Sequence, residues 1–157
     1  MQPIVTIIMG SRADLDHCQQ IADALHDFGI DSQMRIGSAH KTPQHLIAIL
    51  AACETDPRPG VYITVAGRSN ALSGFVDAQV TAPVIACPPP SDRFGGADLF
   101  SSIRMPGGVA PALVIEPSGA ALLAAKILAL SDPSIRERIA ALQDANRQKI
   151  ITDDESL

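Results

Sequence analysis

Short runs of apolar, mostly β-branched residues alternate along this chain with segments of helical periodicity, and this alternation restricts the possible folds. The first run, Pro3 to Met9, is apolar almost throughout, which is typical of a strand covered on both faces. Apolar residues then recur at three- and four-residue spacing from Leu15 to Phe28, the pattern of an amphipathic helix, which Gly29 ends. Further strand-like runs lie at residues 30–36, 61–65, 84–87 and 112–115.

Further helices are predicted at residues 43–53, 120–130 and 134–151, whereas residues 66–74 and 87–108 are predicted as loops. This order predicts an α/β fold with three αβα layers and a flavodoxin-like parallel sheet of about five strands. The last helix is extra to a minimal fold of this kind. The helix at 120–130 is apolar nearly all round. We therefore expect this helix, and the extra last helix, to contact other subunits.

Composition and charge exclude several classes of protein. The net charge of −5 argues against nucleic acid as a partner, and aromatic residues at 3% supply few surfaces for stacking bases or flavins. The three cysteines lack CxxC spacing, which predicts reduced thiols in a cytoplasmic protein and no zinc site. No apolar run is long enough to span a membrane, and the N-terminus does not resemble a signal peptide.

The segment from Ile36 to Pro43 has the composition of an anion site beside a proton carrier. Thr42 followed by Pro43 predicts a helix start with a hydroxyl N-cap. The N–H groups of a helix start attract anions, and Lys41 adds a full charge. Histidine, here His40, gains and loses a proton near neutral pH. The same residues also fit a simple βα turn with a capped helix and an exposed histidine.

Two further loops follow predicted strands. In the first, Ser11 and Asp14 have the spacing of a helix cap. Two interpretations are open: they cap the following helix, or Ser11 binds a phosphate and Asp14 a sugar hydroxyl. It lacks the glycine patterns of NAD- and ATP-binding loops. In the loop at 66–74, small residues surround Arg68, which either pairs with an anion or is a surface cation. His17, His26 and His45 are predicted as surface or capping residues. No histidine is predicted near Cys87, which argues against a nucleophilic cysteine.

Several segments together carry a family resemblance: Met9-Gly10-Ser11 with Asp14, Gly-Ser-Ala-His-Lys-Thr-Pro at 37–43, Ala-Gly-Arg-Ser-Asn-Ala-Leu-Ser-Gly at 66–74, Cys-Pro-Pro at 87–89 and Ser-Ser-Ile-Arg-Met-Pro at 101–106. In this order they resemble the PurE family of de novo purine synthesis, which acts on 5-aminoimidazole ribonucleotide. The resemblance implies one PurE-like catalytic domain over residues 1–157. It also implies self-association into a tetramer or octamer, whereas the charge and the lack of a long apolar run already argue against a nucleic acid or membrane partner.

Within that family the chain resembles class II, the aminoimidazole ribonucleotide carboxylases, which add CO2 to C4 and use no ATP, biotin or metal. Class I mutases typically carry arginine where this chain has Lys41, and histidine where it has Ala71. These two departures argue against class I, and a class I mutase is kept as the alternative within the family. A non-catalytic flavodoxin-like binding module is a more remote one.

The resemblance also implies roles for individual residues. His40 would be the general acid and base of the reaction. Ser11, Asp14, Ser38 and Lys41 would contact the ribose phosphate of the substrate, and Gly67 and Ser69 would line its base and carboxylate end.

Overall fold

The computed structural model describes residues 1–157. Five strands form the sheet: β1 (Ile4–Met9), β2 (Asp31–Ile36), β3 (Gly60–Val65), β4 (Val84–Ala86) and β5 (Ala112–Leu113). Five α-helices accompany them: α1 (Leu15–Asp27), α2 (Pro43–Cys53), α3 (Ala71–Asp77), α4 (Pro117–Leu128) and α5 (Pro133–Glu155). Two 3₁₀ segments lie at Arg12–Asp14 and Arg93–Ser102. No helix combines the length and the apolar character that crossing a membrane requires.

The sheet is parallel throughout, with strand order β2-β1-β3-β4-β5, which confirms the predicted flavodoxin-like three-layer architecture. The chain leaves β1 for β2 on one side and then returns to β3 on the other. This reversal places a crevice at the carboxyl ends of the central strands. Met9 is level with Ile36 of β2 and with Val65 of β3, so three loops leave the sheet at the same height.

The core fills both faces of this sheet. β1 is buried along its whole length, as its uninterrupted apolar run predicts. On one face, a cluster of 21 buried residues joins the sheet to α1, α4 and the start of α5. On the other, a smaller cluster of seven, including Leu46 and Leu72, joins it to α2 and α3. The central strands are therefore a rigid base for the loops that follow them.

The structure departs from the predicted elements mainly between β3 and β5. Residues 71–77 form α3, which overlaps the end of the loop predicted at 66–74. The helix begins there because the Asn70 side chain caps it by accepting a hydrogen bond from the Ser73 N–H at 3.2 Å. Residues 93–102 form two short 3₁₀ pieces, which left-handed backbone at Phe94, Gly95 and Gly96 interrupts. α5 extends to Glu155, past its predicted end at Ile151.

Candidate functional site

A cavity of about 460 Å³ opens at the carboxyl ends of β1, β2 and β3. The loops after these three strands form most of its wall, together with Pro89, Ser91 and Arg93 from the segment after β4. All seven residues proposed from the sequence line this one cavity: Ser11, Asp14, Ser38, His40, Lys41, Gly67 and Ser69.

The loop after β2 is closed by hydrogen bonds between Ser38 and Thr42. The Ser38 N–H donates to Thr42 Oγ1 at 3.0 Å, and the Thr42 N–H donates to the Ser38 carbonyl at 2.9 Å. Ser38 Oγ also accepts from the Lys41 N–H at 3.2 Å. This tight turn presents His40 and Lys41 as exposed side chains at its tip. The predicted start of α2 is confirmed, with Thr42 at the N-cap position and Pro43 first in the helix, but the Thr42 hydroxyl stabilises the turn and makes no capping hydrogen bond.

The loop after β1 keeps its polar side chains free. Ser11 stands at the N-cap position of the 3₁₀ turn and Asp14 at that of α1, as their spacing indicates, yet neither side chain makes a capping hydrogen bond. Partial burial raises the pKa of Asp14, and the nearby charge of His17 lowers it by less. Because a buried carboxylate gains from new hydrogen-bond donors, Asp14 is suited to accept a hydrogen bond from a ligand hydroxyl.

The cavity is a cationic region on a negatively charged protein. Lys41, Arg68 and Arg93 line it, and Asp14 is the single carboxylate among the lining residues. None of the three cations belongs to an ion pair, since those of this chain involve Arg58 and Arg147. Unpaired cations in a cleft favour an anionic ligand. Arg93 was missed from the sequence, because it lies in a glycine-containing segment without local periodicity.

The loop after β3 forms the opposite wall. An added Cβ on Gly67 would lie 3.5 Å from Pro89 Cγ, and no heavy atom outside Pro89 and the chain neighbours lies within 4 Å. Gly67 thus leaves space beside the backbone that a ligand can enter. Arg68 has a φ of 61°, which is uncommon for a residue other than glycine. Backbone in this region costs energy and is concentrated at functional sites.

The surroundings of Cys87 also differ from the prediction. His17, predicted at the surface, is buried, and its Nε2 lies 3.4 Å from Cys87 Sγ. Burial raises the pKa of the Cys87 thiol to about 12, so this sulfur stays protonated and is a poor nucleophile. The expectation that Cys87 has no neighbouring histidine is wrong. The helical period did indicate that His17 is buried, because His17 lies four residues before the apolar Ile21 and so on the same face of α1.

Known proteins match this chain along nearly its whole length. The family model described as AIR carboxylase matches residues 4–149. The chain belongs to the AIR carboxylase family. A phosphoribosylaminoimidazole carboxylase of Treponema denticola is 55% identical over 157 residues, which are 100% of this chain and 99% of that protein. One of Archaeoglobus fulgidus is 58% identical, over 96% of this chain and 83% of that protein.

Longer relatives contain the same unit as one part. A human bifunctional phosphoribosylaminoimidazole carboxylase/phosphoribosylaminoimidazole succinocarboxamide synthetase is 40% identical over 87% of this chain, but only 32% of its own length is covered. Among solved structures, Treponema denticola PurE superimposes with a TM-score of 0.98 at 54% identity and covers 99% of both chains. The PurE resemblance of the sequence motifs and the flavodoxin-like fold are therefore confirmed.

The site lacks the features of a metal centre. No group of three or more histidine, cysteine, aspartate or glutamate side chains lies close enough to hold a metal ion. The lining residues instead supply hydroxyls, cations and one imidazole. Such a set can bind a phosphorylated ligand and move a proton.

Proposed function

We propose that this chain is a phosphoribosylaminoimidazole carboxylase, which reversibly adds CO2 to C4 of 5-aminoimidazole ribonucleotide to give 4-carboxy-5-aminoimidazole ribonucleotide. Family membership and the names of relatives 55% and 58% identical support the reaction. The observation that carries the proposal is the cavity itself. It combines an imidazole, unpaired cations and a glycine-containing wall at one sheet edge.

The ribose phosphate would bind to the loops after β1 and β2. Lys41 supplies a charge for the phosphate, and Ser11 and Ser38 supply hydroxyls. Asp14 accepts a hydrogen bond from a ribose hydroxyl, which compensates for part of the cost of burying its carboxylate. These contacts hold the non-reacting end of the substrate and orient the ring for the reaction.

The reacting end would lie against Gly67 and Ser69, with His40 opposite. The aminoimidazole ring is an enamine, so the electron pair at C4 forms the new bond to the carbon of CO2. His40 then takes the C4 proton, which restores the aromatic ring, and passes that proton to solvent. In reverse, His40 donates a proton to C4 and CO2 leaves. A positioned general acid and base contributes on the order of 10²- to 10⁴-fold.

The class II reaction, with free CO2 and without ATP or another cofactor, is favoured over the class I mutase reaction. Ala71 occupies the position at which class I enzymes carry a histidine, and it is the first residue of α3. An alanine side chain cannot accept or donate a proton. His40 is then the only imidazole that lines the cavity, which suits a reaction that moves a single proton.

Residues 1–157 would act as one catalytic domain within a homo-oligomer, a tetramer or an octamer. The second half of α5 supports association, because its side chains are exposed and include Ile150 and Ile151. All three cysteines are free thiols, which supports the proposed cytoplasmic location.

Purified protein mixed with 4-carboxy-5-aminoimidazole ribonucleotide, without ATP, tests this function. We expect decarboxylation, which is monitored as the loss of the ultraviolet absorbance of the carboxylated ring. The N5-carboxyaminoimidazole ribonucleotide isomer is the matched second substrate. Turnover of that isomer alone would assign the chain to the mutases and overturn the class II proposal.

A further inference from the structure

The loop that carries Gly67 and Ser69 borders two cavities. The first is the candidate site, and the second, of about 240 Å³, shares Ala66, Gly67 and Arg68 of this loop with it and extends towards Leu99. Because open space adjoins this backbone in both cavities, packing alone does not hold it in place. Arg68 is in addition in the left-handed region, with a φ of 61°. Such a conformation persists only where its surroundings enforce it.

Ser101 supplies part of this enforcement. Its Oγ accepts a hydrogen bond from the Asn70 N–H at 2.9 Å. Two carbonyl oxygens lie within reach of its single O–H donor, that of Asp98 at 2.7 Å and that of Arg68 at 3.2 Å. One serine side chain therefore contacts the backbone at both ends of the Arg68–Asn70 segment. It ties this segment to a part of the chain more than thirty residues away.

The side chain of Asn70 extends the connection into the core. It is 3% exposed, and its Nδ2 donates to Ser73 Oγ at 2.7 Å and to Ser102 Oγ at 2.9 Å. Ser73 Oγ in turn lies 2.7 Å from Oγ1 of Thr64, a fully buried residue of β3. A continuous set of hydrogen bonds thus runs from the sheet to Ser102. Buried networks whose members are all satisfied make a structure rigid.

We propose that Asn70, Ser101 and Ser102 are positioning residues that hold the Gly67–Ser69 backbone against the reacting end of the substrate. This inference rests on the proposed function. The three side chains are absent from the residues that line the main cavity, so they act through the loop and not on the substrate. The ribose phosphate contacts lie on two other loops, which this network does not touch. Loss of the network should therefore slow the chemical step and leave substrate binding nearly unchanged.

Ser101→Ala tests this role by removing the bridging hydroxyl. We expect kcat for decarboxylation of 4-carboxy-5-aminoimidazole ribonucleotide to fall roughly 10- to 100-fold, with KM almost unchanged. Ser101→Thr retains the hydroxyl and should recover most of the rate. Ser131→Ala is the matched control, because Ser131 Oγ also donates to a main-chain carbonyl, that of Leu128 at 3.3 Å, far from the cavity. Its kinetics should equal those of the wild type.

Ser102→Ala provides a second, independent variant should Ser101→Ala fail to fold. It removes one of the two acceptors of Asn70 Nδ2, and we expect the same selective loss of kcat. A wild-type kcat in the folded variants, or an equal loss in Ser131→Ala, would overturn the positioning role. A rise in KM without a fall in kcat would overturn it as well. A wild-type protein without decarboxylase activity would instead refute the proposed function, so the two failures are distinguishable.

Discussion

His17 Nε2 lies 3.2 Å from the main-chain carbonyl oxygen of Cys87, and the imidazole is buried. The contact joins α1, whose first turn follows Asp14, to the segment after β4, where Pro89 lines the candidate site. The two residues are 70 positions apart in the sequence. Burial favours the neutral form of this imidazole more than the contact with the Cys87 carbonyl favours the charged form, so the pKa of His17 lies below its ordinary value.

The stability of the protein should consequently depend on the protonation of His17. Burial lowers the pKa of His17 in the folded state, so below its ordinary value of about 6.5 the unfolded chain binds more protons. This contribution to stability is present above that pH and is lost as the pH falls towards the folded-state pKa. We expect the free energy of unfolding, measured by urea titration, to decrease less steeply from pH 8 to pH 5.5 in His17→Gln than in the wild type. His26→Gln, at an exposed position, should keep the wild-type slope, and equal slopes in all three proteins would contradict the assignment.

Asp14→Asn should make the protein more stable at neutral pH and weaken substrate binding. Burial raises the pKa of Asp14, so its stabilising contribution is complete at acid pH and is lost as the pH rises through the folded-state value. At pH 7 the Asn variant should have a higher Tm, and this gain should disappear near pH 3. KM should rise roughly 10- to 100-fold, as expected for loss of a hydrogen bond to a charged group. Asp16→Asn, in the exposed first turn of α1, is the control: its KM should equal that of the wild type, and its Tm should not rise, because an acidic side chain favours a helix start.

Gly67→Ala separates folding from function. The new methyl group would make ordinary contact with Pro89 at 3.5 Å, so we expect the free energy of unfolding to change by less than about 0.5 kcal/mol. The same methyl group would occupy the space proposed for the substrate, and kcat/KM should fall at least about tenfold. Gly29→Ala is the opposite case. Its φ of 69° makes alanine cost about 1–2 kcal/mol, whereas kcat/KM should be retained. A normal kcat/KM for Gly67→Ala would place the substrate elsewhere.

The exposed end of α5 should hold subunits together. Ile150 is 70% exposed and Ile151 is 49% exposed on the isolated chain, which is a large apolar surface for one end of a helix. The double variant Ile150→Glu/Ile151→Glu should therefore run as a smaller species than the wild type in size-exclusion chromatography with light scattering. Gln148→Glu adds charge to the same helix without removing an apolar side chain, and it should keep the wild-type mass. A monomeric wild type, or an unchanged mass of the double variant, would refute the interface.

Local patterns were sufficient to predict the sheet, because strands buried on both faces, such as β1, are apolar without interruption. The meeting of the three loops followed from the parallel order of the strands. α3 was missed because this short helix itself contains Ser73 and Gly74, and its start depends on the Asn70 cap. The contact between His17 and Cys87 and the bridge from Ser101 to Asn70 were also missed. Both depend on distant segments meeting in three dimensions, so the helical period could indicate that His17 faces the core but not which residue it contacts.

The role of His40 as general acid and base is the central claim, and one kinetic comparison tests it most directly. The rate of ATP-free decarboxylation of 4-carboxy-5-aminoimidazole ribonucleotide is measured for the wild type, His40→Asn and His45→Asn. His45 is the matched control, since it is exposed in the first turn of α2 and does not line the cavity. We predict that His45→Asn keeps the wild-type rate, while His40→Asn loses at least about 10²-fold with an unchanged Tm. A folded His40→Asn variant that decarboxylates the substrate at nearly the wild-type rate would contradict this account.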